Sequence, residues 1–237
     1  MSFDTTHWSV VSAIRSEDPV VKQRALDSIC ARYWDPIRRT LVRAWSYGPD
    51  EAQDLTQTFF MNLIEHRQLE AARRELGPFH NFLIVILKHV VINDDKYQRR
   101  LKRGGGERLL ELDATPAHGR SVLEPIDQDT PERIFEQEYA QSVFDRVTRQ
   151  LEQEWRAAGA GAAFAVLRPY LNHDLPPGSY HEMAGSLGVS DEAARSQLRR
   201  LQSRFFHLLR KDVAASGVVK EDIDAELRFL AKAWRPL

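Results

Sequence analysis

The chain has 237 residues, 28% of them charged and 43% hydrophobic, with a formal net charge of -1. That length suits one large domain or two small ones, and so near-neutral a balance argues against a protein that coats nucleic acid indiscriminately; any such contact is left to local basic patches. A single cysteine, Cys30, excludes an intrachain disulfide and fits a reducing compartment.

The start, MSFDTTHWSVV, lacks a basic segment followed by an apolar one. The longest apolar run, Phe82-Leu83-Ile84-Val85-Ile86-Leu87, falls far short of the ~20 residues that span a bilayer. A cytoplasmic protein without membrane insertion is expected.

Nearly every segment repeats apolar residues every three or four positions, which predicts an all-α fold. A first helix is expected from Thr5 or Thr6 through Arg15. A second spans 19–34, with Val20, Ala25, Leu26, Ile29 and Tyr33 at helical spacing. Pro36 is expected to open a third, carrying Ile37, Leu41 and Trp45 and stopping at Tyr47-Gly48-Pro49. The next is DEAQDLTQTFFMNLIEHRQL. Gly77-Pro78 breaks the chain before an apolar helix from Phe79 that ends in the basic run Lys96-Tyr97-Gln98-Arg99-Arg100-Leu101-Lys102-Arg103.

Gly104-Gly105-Gly106 closes that module. From 104 to 131 the chain is rich in Gly, Pro and acids (Glu107, Glu111, Asp113, Glu124, Asp127, Asp129) and reads as an acidic linker. Thr130 as a cap and Pro131 at the first helical position open a long helix to about residue 158. A short helix follows Gly159-Ala160-Gly161, and Pro176-Pro177-Gly178 leads into the stretch 179–211. There two helices hinge at Leu187-Gly188-Val189-Ser190. Met183, Ala184 and Leu187 line one apolar face, Ser190 caps the second helix, and Ala194, Leu198, Leu201, Phe205 and Leu208/Leu209 mark its buried side. Arg195, Ser196, Arg199 and Arg200 fall largely on other faces, and Arg204, Arg210 and Lys211 extend the positive charge. This is the pattern of a helix-turn-helix whose basic second helix fits a DNA major groove. A final helix, 220–234, puts Ile223, Leu227, Leu230 and Trp234 on one side, as a cap on the last domain or as a regulatory or partner-binding element.

The predicted layout is a helical domain over 1–103, an acidic linker over 104–131, a helix-turn-helix domain over 132–212 and a helical extension over 213–237. No enzyme chemistry is expected. There is no glycine-rich phosphate loop, His181-Glu182 and His173-Asp174 lack metalloprotease spacing, and His80, His89, Asp94 and Asp95 fit no standard metal site. Neither catalytic residues, metal nor cofactor is assigned. The helix from Phe79 instead carries Lys88, His89, Asn93, Lys96, Tyr97, Arg99 and Arg100. Lys and Arg suit phosphates, His and Asn suit base edges, and a tyrosine ring stacks on an unpaired base.

Two stretches carry a family resemblance. Asp50-Glu51-Ala52-Gln53-Asp54-Leu55-Thr56-Gln57-Thr58-Phe59-Phe60 resembles the region-two signature of bacterial sigma factors, and Phe79-His80-Asn81-Phe82-Leu83 with its basic end resembles the segment that follows it. Residues 179–204 resemble region four. The order and gap are similar to those of the small extracytoplasmic-function type. The resemblance implies that Glu51, Asp54, Gln57 and Phe60 grip the clamp helices of core RNA polymerase. It implies that the 73–78 loop and the helix with Lys88, His89 and Asn93 melt and read the minus-ten element. Arg195, Ser196, Gln197, Arg199 and Arg200 would read the minus-thirty-five element, with Gln197 where relatives commonly carry a basic residue. The acidic linker would occupy the RNA exit channel. The partners so implied are core RNA polymerase and promoter DNA, with an anti-sigma factor or other regulator as a further one. Asp191-Glu192-Ala193-Ala194 departs from the family's Gly-Thr-Val, and the extension over 213–237 has no counterpart in its minimal members.

The expected function is therefore that of a transcription initiation factor. Two alternatives stand beside it: a stand-alone helix-turn-helix regulator, and a helical adaptor without DNA binding.

Overall fold

A computed structural model describes residues 8–65, 68–72, 79–102, 130–171, 178–216, 218 and 220–234. The 73–78 loop, residues 104–129 of the acidic linker, His173-Asp174, Pro176-Pro177 and the first-helix caps at Thr5 and Thr6 lie outside the described residues. Those described are almost entirely helical, with no strand among them. In order they form α1 (Trp8–Ile14), α2 (Pro19–Trp45), α3 (Pro49–Glu65), α4 (Gln68–Ala71), α5 (Phe79–Lys102), α6 (Pro131–Ala157), α7 (Gly161–Leu167), α8 (Ser179–Leu187), α9 (Asp191–Ala215) and α10 (Ile223–Ala233). No helix of the described residues is long and apolar enough to cross a membrane.

Local chemistry sets most helix starts. The Asp18 side chain accepts from Val20 N–H at 2.8 Å, and Pro19 needs no N–H in the first turn. Thr130 Oγ1 takes the Arg133 N–H at 3.3 Å before Pro131, and Ser190 Oγ takes the Ala193 N–H at 3.3 Å before α9. At α3 the Gly48 N–H donates to Glu51 Oε2 at 3.0 Å, the acidic half of a capping box. Gly188, at φ 66°, ends α8 in the left-handed region that a glycine adopts without a Cβ penalty.

One break expected from the sequence does not occur. Residues 19–45 are a single helix with Pro36 inside it, not two helices meeting at that proline. Pro36 cannot donate to the carbonyl four residues back, a loss of about 3 kcal/mol in a helix interior. Burial of Tyr33, Pro36, Ile37, Thr40 and Leu41 on one side offsets it, and Thr40 Oγ1 donates to the Pro36 carbonyl at 2.7 Å.

The chain divides into two compact units. Unit 1 is Met1–Ser142 with Ser216–Leu237, and unit 2 is Val143–Ala215. These bounds differ from those expected at 103, 131 and 212: the first turns of α6 and the final helix join unit 1. In unit 1, α2 packs against α1 and α3, and α3 against α5. An aromatic cluster fills the core. The fully buried Tyr33 ring stacks on Tyr139 at 5.4 Å and on Phe135 at 6.3 Å, and meets Phe79 edge-on at 5.7 Å. His80 lies 4.3 Å from Tyr139 and 5.7 Å from Phe229 of α10 between ring centroids. The last helix is thus part of this core: Ile223, Phe229 and Leu230 are buried, and Trp234 Nε1 donates to Gln141 Oε1 at 3.1 Å. Arg43 donates to Gln137 Oε1 at 3.1 Å and to the buried Glu138 carboxylate, tying α2 to α6.

Unit 2 holds residues 143–157 of α6 with α7, α8 and α9. Its core stacks Phe144 on Phe205 at 5.9 Å, with Val147, Leu151, Leu198, Leu201 and Leu208 buried. Arg146 grips Asp212 through two hydrogen bonds of 2.8 and 2.9 Å, joining α6 to the far end of α9.

Candidate nucleic-acid and partner interfaces

On α3, residues advance about 100° per position, so 54, 57, 61 and 64 line one face. Asp54, Gln57, Met61 and Ile64 are all exposed, and Glu51 stands at the start of the same side. Phe60 is not part of that surface. Its ring is 4% exposed, stacked on Trp34 at 5.5 Å and edge-on to Phe59 at 5.1 Å, so it supports α3 from within instead of meeting a partner. Met61 and Ile64, 49% and 42% exposed, are the apolar members that the sequence reading missed. Their offset of seven and ten positions from Asp54 was the available signal.

The seven candidates on α5 separate into a stripe and its two flanks. His89, Asn93, Lys96 and Arg100 form an exposed stripe with Val85, and Tyr97, 52% exposed, sits beside Asn93. Lys88 and Arg99 occupy the opposite flank and are half-buried. Lys88 Nζ donates to Glu132 Oε1 in the first turn of α6. Burial pushes the Glu132 carboxyl up, but hydrogen bonds from Lys88, the backbone and Thr130 with the Lys88 charge outweigh it, and the net shift is downward. Lys88 is therefore committed to an internal partner, whereas the stripe is open to solvent.

Of the imagined metal ligands, His80 is buried against aromatic rings with Nε2 3.1 Å from the Tyr33 hydroxyl, and Asp94 accepts from the Tyr47 hydroxyl at 3.0 Å. His89 is exposed and Asp95 is buried.

In unit 2, α8 and α9 meet at the turn 188–190 and pack against each other. Arg195, Ser196, Arg199 and Arg200 are exposed on α9, and Gln197 is half-buried. Ser196, Arg199 and Ser203 lie opposite the buried row Ala194, Leu198, Leu201 and Phe205; Arg195 flanks them toward α8 and Gln197 the other edge. The Arg195 guanidinium carbon sits 4.6 Å above the Tyr180 ring centroid. His181 Nδ1 is 3.5 Å from Asp191 Oδ1. Arg204, expected to extend the positive row, is instead held by Glu154 through bonds of 2.7 and 2.8 Å. Those bonds lower the Glu154 pKa and raise that of Arg204.

Side chains of these kinds can meet phosphates (cations), base edges (amide and imidazole groups) and unpaired bases (an aromatic ring). No protein-family model, curated protein or solved structure matches the chain.

Proposed function

We propose that this chain is a transcription initiation factor, a sigma factor of the extracytoplasmic-function type. It acts in the cytoplasm, is not itself an enzyme and needs no cofactor. In this reading the exposed face of α3 binds core RNA polymerase, the stripe on α5 engages the minus-ten element as it opens, and α9, the second helix of a helix-turn-helix, enters the major groove of the minus-thirty-five element.

The observation that carries the reading is the pairing of surfaces. Each compact unit presents one helix with an exposed row of cations and hydrogen-bonding side chains: His89, Asn93, Lys96 and Arg100 in unit 1; Arg195, Ser196, Arg199 and Arg200 in unit 2. The net charge of -1 is consistent with weak binding to DNA in the absence of polymerase. The resemblance of residues 50–60 and 179–204 to regions two and four supports the same assignment.

Run-off transcription with purified core polymerase and a promoter library tests it. Specific initiation that requires this chain is expected. Tight, specific binding to duplex DNA by the chain alone, with no initiation from core plus chain, would establish a stand-alone regulator instead.

A further inference from the structure

Three exposed or charged features of α9 differ in how they are held. Arg204 is bound bidentately by Glu154. Arg199 and Arg200 are exposed on the outer face. Arg195 alone of these rests on an aromatic ring, 4.6 Å from the Tyr180 centroid, while remaining exposed. Asp191 and Glu192 precede it by one turn, the spacing at which a carboxylate captures an arginine. Among the described residues neither pairs with it; Asp191 faces His181 of α8.

We propose that Tyr180 is a positioning residue that presents Arg195 to one base pair of the minus-thirty-five element, an inference resting on the sigma reading above. The ring face attracts the guanidinium without supplying an oxygen acceptor, so the guanidinium's donors stay available while its motion is restricted. Arginine's planar fork matches O6 and N7 of guanine, and the first turns of a recognition helix are where base edges are met. Holding the side chain in place before binding reduces the ordering cost at the encounter. The base pair read through Arg195 is accordingly a guanine-containing one.

The test uses the full chain with core polymerase and promoter duplexes randomised across the minus-thirty-five segment, sequencing the templates that support initiation. Wild type, Tyr180→Phe, Tyr180→Leu, Arg195→Ala and the Tyr180→Leu/Arg195→Ala pair are compared. Arg195→Ala should erase a guanine preference at one position. Tyr180→Leu, which keeps bulk without the ring, should weaken preference at that same position about two- to five-fold and leave the others intact. Tyr180→Phe should behave as wild type, and the double variant should be no worse than Arg195→Ala. If Tyr180→Leu loses helical content by circular dichroism, Tyr180→Met takes its place. An unchanged preference in the ring-less variant, a uniform loss at every position, or a loss in Tyr180→Phe overturns the proposal. Absence of any specific initiation by wild type overturns the sigma reading itself, and the proposal with it.

Discussion

His80 Nε2 lies 3.1 Å from the Tyr33 hydroxyl, inside rings contributed by α2, α6 and α10. Burial in that setting disfavours the imidazolium and lowers the His80 pKa from 6.5 to about 3. A histidine depressed in the folded state binds fewer protons than it does unfolded. Its contribution is therefore complete above about pH 6.5 and is lost as the pH falls toward 3, by at most about 1.4 kcal/mol per pH unit. Urea midpoints of wild type should drop steeply over that interval, and His80→Phe should flatten the slope. Glu136, whose carboxyl burial raises, works weakly in the opposite direction.

Leu230 is fully buried and Phe229 nearly so, both in unit 1. Leu230→Ala should cost about 2–5 kcal/mol, the range for an apolar truncation that leaves a cavity. Hydrogen exchange should accelerate in α2, α5 and the first turns of α6, with α8 and α9 unaffected. Acceleration in α8 and α9 instead would place the last helix on the other unit.

Arg146 and Asp212 form a two-bond pair with Asp212 mostly buried. Arg146→Lys should destabilise unit 2 almost as much as Arg146→Ala, since an ammonium cannot reproduce the fork. A double-mutant cycle with Asp212→Asn should return a coupling of about 1–2 kcal/mol by urea unfolding. A coupling near zero would assign the stability to packing alone.

Arg199 and Arg204 are five residues apart and should differ in effect. Arg199→Ala should weaken binding of promoter duplex and lower the salt slope by about 1, the mark of one lost phosphate contact. Arg204→Ala should leave both nearly unchanged, because Glu154 already holds that guanidinium. Titrating labelled promoter at several salt concentrations, with core polymerase present, separates the two.

Helix starts were readable in the sequence because their chemistry is local: Pro19 marks the first turn of α2, and Thr130 and Ser190 each sit three residues before the N–H they accept. Pro36 misled because a local rule competed with burial, and burial of Tyr33, Ile37 and Leu41 prevailed. The exposed row on α9 followed from periodicity, whereas on α5 the candidates were read only as one basic helix and burial separates the stripe from Lys88 and Arg99. The partners of Lys88 and Arg204 did not follow from periodicity, since Glu132 and Glu154 are 44 and 50 residues distant in the chain. Likewise the amphipathic pattern of α10 announced a buried face without saying which residues cover it. It also concealed Glu226, a carboxylate only 1% exposed.

Unit 1 draws on both sides of unit 2 in the chain order. A ribosome emits residues in sequence, at about 5–20 per second, so every residue of unit 2 emerges before Phe229 and Leu230 exist. The aromatic cluster around His80 must wait for them, open on the side they will close. A nascent chain released before α10 would carry every residue of unit 2 but an incomplete unit 1.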